Sequence, residues 1–343
     1  MNKQRIGLSI FFLLILFLLF AVFNTSHFDI EIEQPTPELN TIDALRRYDS
    51  QAIRPLPRQV LLPANKVALG ETLFHDPILS KDNTISCSSC HLLTLGGADG
   101  KDRSVGINGT IGMVNAPTVF NSSYNFAQFW DGRADTLAQQ VSGPVHNPAE
   151  MASSWPQVMV KMQDNALYIE KFQSIYADGI TTDNIIDAIV HYERSLITPD
   201  SAFDNYLRGE QNALNERELR GYELFKEYGC ISCHQGINIG GNMFQQFGVV
   251  KNYFKNKVVK PADLGRFNVT NRDEDRHVFK VPSLRNIALT APYFHNGSVK
   301  TLPDAIKIMG EYQLGQQLSD TDVSDIAAFL NTLTGKLEGK SLQ

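Results

Sequence analysis

Two copies of one five-residue pattern constrain this chain more than any other feature: Cys87-Ser88-Ser89-Cys90-His91 and Cys230-Ile231-Ser232-Cys233-His234. They use all four cysteines and lie 143 residues apart. C-x-x-C-H is the attachment signature of haem c. Two thiols one helical turn apart each form a thioether to a porphyrin vinyl group, and the next residue's imidazole then lies beneath the iron. A thioredoxin-like redox pair does not require the following histidine. A zinc site shared by pairs so far apart leaves both histidines unexplained, and disulfides explain neither the spacing nor the histidines. The pattern predicts two covalently bound haems c.

At 343 residues the chain has the length of two domains. Its 31 basic and 37 acidic residues give a net charge of -6, and no long basic run offers a stripe for phosphates, so nucleic acid is excluded as a partner. One stretch is apolar enough for a membrane: residues 6–23, broken only by Gly7 and Ser9 and preceded by Lys3 and Arg5. Its length exceeds the roughly 7–15 residues of a signal-peptide core, and no A-x-A-like cleavage site comes after it. It reads as an N-terminal apolar helix anchored in the inner membrane, with a cleaved signal peptide as the alternative. Either reading exports the remainder of the chain, because the positive end stays on the cytoplasmic side. Covalent haem attachment occurs on the far side too, so the periplasm is the expected location.

Residues 27–60, with Pro35, Pro37, Pro55 and Pro57, read as a linker carrying one short helix around Thr41 to Tyr48. The folded body is expected to start just before Ala64. Beyond it, apolar residues recur at helical spacing, as in Thr182 to Leu196 and Asp320 to Leu333, with Thr182 and Ser319 as N-caps. Asn242 to Val250 reads as a short hairpin, and other strand-like alternation is scarce. The body is mainly α.

An internal repeat sharpens this picture. Gly70-Glu71-Thr72-Leu73-Phe74 precedes the first cysteine pair much as Gly221-Tyr222-Glu223-Leu224-Phe225 precedes the second. Downstream, Pro117 to Leu137 aligns without gaps on Pro282 to Leu302, matching Asn121 with Asn286, Phe129 with Phe294, Gly132 with Gly297 and Thr136 with Thr301. The same alignment sets Trp130 against His295. Each half reads as one haem-bearing unit.

Once a haem has its proximal histidine, its other face decides its use: a second strong ligand gives electron transfer and an open face gives chemistry. In the second half Met309 comes after His234 on the helical stretch Leu302 to Met309, where spacing alone is equally served by core packing. In the first half Glu150 comes after a loop rich in Gly-Pro and Asn-Pro (Gly143, Pro144, Asn147, Pro148). A carboxylate near an open haem face can move a proton between the two oxygens of a peroxide, although a lone glutamate is most often a solvated surface residue.

The ordered series Asn115-Ala116-Pro117-Thr118, Phe129-Trp130-Asp131-Gly132-Arg133, Pro148-Ala149-Glu150-Met151, Pro282-Ser283-Leu284-Arg285-Asn286 and Pro292-Tyr293-Phe294-His295-Asn296-Gly297 resembles the bacterial di-haem cytochrome c peroxidase family, which includes MauG-type enzymes. The resemblance implies two cytochrome c-like haem domains related by duplication, a mainly α body behind the apolar helix. Residues 1–26 would be anchor or signal and 27–60 linker. Residues 61–205 would form a peroxidatic domain, with 206–337 as an electron-transfer domain. It implies a peroxidatic haem on Cys87, Cys90 and His91, and an electron-entry haem on Cys230, Cys233, His234 and Met309. Glu150 takes the place of the family's catalytic glutamate, Gln140 of the glutamine beside it, and Trp130 of the tryptophan lying between the haems. Asn115, Thr290 and Pro292 match positions that bind one calcium ion through oxygen, a hard ligand that suits this ion. The implied activity is reduction of hydrogen peroxide with electrons from a small cytochrome c or a cupredoxin, by a protein that can form a homodimer.

One departure stands out. Many members carry a histidine sixteen residues beyond the proximal one that caps the resting peroxidatic haem; here Ile107 holds that position. Either that haem is open at rest, or another group such as His146 caps it. Two rival functions stay open: a MauG-like enzyme oxidising a protein side chain, for which Tyr312 is close to the relevant position, and a non-catalytic di-haem electron carrier.

Overall fold

A glycine sets the helix crossing at the heart of each half. In the computed structural model, which describes residues 52–342, α1 (Ala64–His75) packs on α5 (Thr182–Ser195). Between them lie α2 (Leu137–His146), α3 (Trp155–Gln163) and α4 (Ala166–Gln173). The second half repeats the crossing with α7 (Glu216–Glu227) on α10 (Asp320–Asn331), with α6 (Ala202–Leu207) and α9 (Leu302–Ile308) packed against its core; the short α8 (Phe267–Thr270) comes between α7 and α9 in the chain. A Cβ at Gly70 would stand 2.0 Å from the Ala188 carbonyl oxygen, and one at Gly221 would stand 2.0 Å from that of Asp325. Only a residue without a side chain lets these backbones approach so closely.

The repeat read from the sequence is a repeat of backbone shape. Asn121 and Asn286 both adopt positive φ (59° and 60°), as do Phe129 and Phe294 (67° and 68°). The bridge Gln128–Ala134 recurs as Tyr293–Val299. Thr136 and Thr301 then cap α2 and α9 by accepting from the backbone N–H three residues on. Each half has its own apolar core: Leu73, Val158, Met162, Phe172 and Ile189 in the first, Phe203, Phe225, Ile326, Phe329 and Leu333 in the second.

Three expectations need correction. The cap of α5 is Thr181, whose side chain accepts from Asn184 N–H, so Thr182 is the first helical residue. Asn242 to Val250 forms no local hairpin; β1 (Phe244–Gln246) pairs antiparallel with the distant β2 (Val278–Lys280), because the aromatic rings of the segment find their partners far along the chain, Phe244 on Phe126 and Phe247 on Phe294. The end of the segment read as a linker belongs to the folded body. Ile53 and Leu56 are each 1% exposed, and Leu56 N–H donates to the buried Asp204. The apolar run 6–23 and the helix expected around Thr41 to Tyr48 lie outside the described residues, among which no helix is long and apolar enough to cross a membrane. A second small sheet, β3 (Lys336–Leu337) with β4 (Lys340–Ser341), closes the body.

Alanine gains about 1 kcal/mol over glycine in a helix interior, so Gly221→Ala isolates the crossing. We expect a net loss of about 2 kcal/mol as the helices are forced apart, seen as a melting point lower by roughly 4 °C or more in thermal unfolding. An unchanged or higher melting point would show that the contact at Asp325 yields freely.

Candidate active site

Each Cys-x-x-Cys-His segment opens as a short 3₁₀ turn (Cys87–Ser89 and Cys230–Ser232) and lies on the wall of its own cavity. The first cavity, about 1340 Å³ including its mouth, is lined by Cys87, Cys90 and His91; the second, about 1770 Å³, by Cys230, Cys233 and His234. None of the four cysteines is joined in a disulfide. Burial would push the thiols up, Cys87 to about 12 and Cys230 to about 11, which marks how far both sulfurs are set into their cavity walls. Because the two pairs face different cavities, they do not converge on one metal ion.

The histidines are prepared to be ligands. Burial lowers the pKa of His91, with the carbonyls of Gly97 and Pro117 opposing it, and Nδ1 lies 3.2 Å from Gly97 O. A neutral ring that donates from Nδ1 keeps the Nε2 lone pair for a metal. Burial takes His234 down to about 4 against the pull of the Ile239 and Pro282 carbonyls, and its Nδ1 has no hydrogen-bond partner. Apolar walls, a thiol pair and a neutral imidazole in each cavity fit haem c.

The first cavity also contains Glu150 and Gln140. Gln140 comes from α2, and the chain between α2 and α3 carries Glu150, whose Oε1 accepts from Asn147 Nδ2 at 2.6 Å. Burial raises the Glu150 pKa, held back by the Arg133 charge and the Asn147 hydrogen bond. Arg133 lines the same cavity, stacked 3.4 Å above the Phe129 ring and forked onto Asp131. Ile107 is buried, 3% exposed, and is not part of the lining; its N–H donates to Glu150 O at 2.8 Å, so the 3₁₀ turn Ile107–Gly109 fixes the backbone of the glutamate. His146 is exposed and packs edge-on against Trp155, centroids 5.9 Å apart, outside the cavity.

Met309 lines the second cavity with His234. It comes directly after α9 and opens a π-helical turn, Met309–Gln313, a distortion frequent at functional sites. Tyr312, three residues on, packs edge-on against Tyr253 at 5.1 Å and is not part of the lining. Trp130 lines this cavity too, its indole N–H donating to Asn115 O at 2.9 Å, and Asn115 lines both cavities. His295, the counterpart of Trp130, is 2% exposed and held by Asp263 at 2.7 Å. Asn115, Thr290 and Pro292 share the second cavity. No hydrogen bond among the described residues engages Asn115 Oδ1 or the Thr290 and Pro292 carbonyls. Those neutral oxygens suit a hard cation.

Residues 64–212 match the family described as di-haem cytochrome c peroxidase, and residues 219–334 match cytochrome c. The cytochrome c551 peroxidase of Nitrosomonas europaea is 47% identical over 287 residues, 83% of this chain and 85% of that protein. The chain belongs to the di-haem cytochrome c peroxidase family. The Escherichia coli protein named cytochrome c peroxidase Ccp is 48% identical over 294 residues, 85% of this chain, which spans 63% of that longer relative. A solved MauG-like protein associated with microbial copper homeostasis superposes with a TM-score of 0.74 at 30% identity, covering 83% of this chain and 93% of that one. As a di-haem cytochrome c peroxidase relative the protein is an oxidoreductase, and the family implies two haems c.

Two cavity residues escaped the sequence reading. Glu193 lines the first cavity, 7% exposed, with Oε2 unpartnered and its pKa pushed by burial up to about 8. Its signal is present: it falls four and eight residues after Ile189 and Ile185, on the buried stripe of α5. Lys280, 7% exposed, lines both cavities. A three-residue strand offers too little pattern to mark it.

Replacing Cys230 and Cys233 by serine should yield a protein of one covalent haem, with the first site intact; intact-mass measurement reads this directly. Retention of two covalent haems would refute the assignment of that pair.

Proposed function

We propose that this protein reduces hydrogen peroxide to water in the periplasm. Two electrons are drawn one at a time from a small cytochrome c or a cupredoxin. The observation that carries the reading is the placement of a buried carboxyl, Glu150, with Gln140 on the wall that His91 also lines. The two haems c, when bound at Cys87–Cys90 with His91 and at Cys230–Cys233 with His234 and Met309, supply the iron chemistry and the electron store. Everything else is asked of the chain. Glu150 accepts a proton from one peroxide oxygen and returns it to the other, so that the departing oxygen leaves as water. Asn147 holds the carboxylate in place, and Gln140 supplies an amide beside it to orient the substrate. Two further protons and two electrons complete two waters per peroxide. Trp130, fastened to Asn115 on the wall common to both cavities, is the aromatic group placed to connect the two sites.

Several finer points belong to the same proposal. Asn115 Oδ1 with the Thr290 and Pro292 carbonyls would bind one calcium ion, with water completing its shell. Residues 6–23 would direct export and tether the protein to the inner membrane. The body would divide into a peroxidatic domain, residues 61–205, and an electron-transfer domain, residues 206–337. The MauG-like alternative, oxidation of another protein's side chain, is associated with a tyrosine ligand; Met309 on the cavity wall and Tyr312 off it favour the peroxidase. A bare electron carrier has no use for a buried carboxyl beside a haem.

Glu150→Gln, with both haems retained, should lower peroxide turnover about 100- to 10,000-fold. Because burial raises the Glu150 pKa above its ordinary 4.5, and the group acts as its carboxylate, wild-type activity should rise with pH through that raised value. This acidic limb should vanish in Glu150→Gln. Turnover unchanged by the substitution would remove Glu150 from the reaction.

The resting state gives a separate test. With Ile107 outside the cavity and His146 turned to Trp155, the fully oxidised protein should show a high-spin ferric signature from the first haem and react with peroxide without prior reduction. A purely low-spin spectrum would demand a cap, and the open-site reading would fall.

A further inference from the structure

Lys280 is a buried cation with no counter-ion among the described residues. It is the one lysine or arginine on the described wall of the second cavity, and it lines the first as well. Strand β2 carries it, and its backbone N–H donates to Trp130 O at 2.9 Å. Burial pushes its ammonium down to about 8, opposed by the charge of Asp131. That carboxylate is already forked onto Arg133 at 2.9 and 3.0 Å. No hydrogen bond or ion pair of the Lys280 side chain occurs among the described residues. Burying an ammonium without a partner is strongly unfavourable, so a lysine here needs an anion to set against it. The second cavity has no aspartate or glutamate in its described wall, and the two in the first, Glu150 and Glu193, form no ion pair with it. The remaining source of negative charge is the cofactor, since each haem c carries two propionate carboxylates on its porphyrin edge.

We propose that Lys280 is a cofactor-binding residue shared by the two haem sites, its ammonium pairing with porphyrin carboxylates that reach it from both cavities. A fixed positive charge near both irons favours the reduced form of each. The two sites then share one electrostatic anchor in addition to their separate thioether bonds. The inference rests on reading the cysteine motifs as haem attachment sites, and it is independent of peroxide chemistry.

The test uses the complete holoprotein and a spectroelectrochemical titration, with haem content checked by intact mass. In Lys280→Met, with both haems retained, the reduction equilibrium constant of each haem should fall about tenfold, about 59 mV for a one-electron couple. Lys280→Arg, which keeps the charge, should hold both potentials near those of the wild type. Unchanged potentials in Lys280→Met would overturn the proposal, and a fall confined to one haem would overturn the shared site. If Lys280→Met does not mature, Lys280→Gln carries the same expectation. Failure of both neutral variants to retain haem, with Lys280→Arg retaining two, would show the same dependence on charge at the stage of loading. Were the peroxide reading wrong, turnover would be absent while these shifts persisted; a wild type without two haems would overturn both.

Discussion

Thr198 is where the two repeats meet. Its hydroxyl oxygen accepts from Asn121 Nδ2 at 2.8 Å and from Asn286 Nδ2 at 2.9 Å, the same residue of each repeat. All three side chains are essentially inaccessible to water, where an amide left without its partner costs roughly 1–3 kcal/mol. Both asparagines sit in the left-handed region, which their short polar side chains tolerate. From this node each chain runs through a 3₁₀ turn, Ser122–Tyr124 or Ile287–Leu289, to a cavity wall. Asn121 also accepts from Thr198 N–H, and Asn286 accepts from Gly335 N–H, so the connection between the halves and the C-terminal segment are tied to one point. The positions of both cavity walls depend on that point.

A second buried contact fixes the outer boundary of the second half. Arg285 and Asp204 pair at 3.0 Å, at 1% and 0% exposure. The guanidinium also donates to the carbonyls of Ile237 and Arg54, and Asp204 accepts from Leu56 N–H. A buried pair of this kind is weak evidence for stability but strongly constrains geometry when every donor is used. It explains why a proline-bearing segment that reads as a tether becomes part of a core: Ile53 and Leu56 supply apolar surface, while Arg285 donates to the Arg54 carbonyl and Asp204 accepts from Leu56 N–H.

The legibility of this protein in its sequence tracks the range of the interactions involved. Local chemistry is readable: the cysteine spacing and the Ser319 cap depend on residues close in the chain, and the gapless repeat, with the match of Gly70 to Gly221, is readable because one pattern occurs twice. The pairing of Phe244 with Lys280 and the burial of Ile53 depend on partners far away, and no periodicity in a three-residue strand announces them. Site residues divide the same way. Glu150 and Met309 stand out because a motif or a resemblance points to them, whereas Glu193 and Lys280 matter only because two cavities form around them. The exchange of Thr181 for Thr182 as cap is a one-residue shift between two threonines with the same chemistry.

Duplication of the frame with exchange of a few side chains accounts for the asymmetry of the two sites. The paired backbones place Trp130 and His295 at equivalent points. Trp130 binds the wall common to both cavities, and His295 is engaged by Asp263. After the equivalent caps Thr136 and Thr301 the paths diverge: α2 runs on through Pro144 to the loop that presents Glu150, while α9 stops at Ile308 and loosens into the turn that presents Met309. A proton-carrying group on one wall and a soft sulfur on the other are opposite chemical choices on one scaffold. The first cavity can concentrate charged work because Arg133, Glu150 and Glu193 are confined to it, whereas the described wall of the second has no carboxylate and Lys280 as its one lysine or arginine. A low local dielectric strengthens every charge it contains, so a single lysine on the shared wall acts on both sites, whereas the carboxyls act on one.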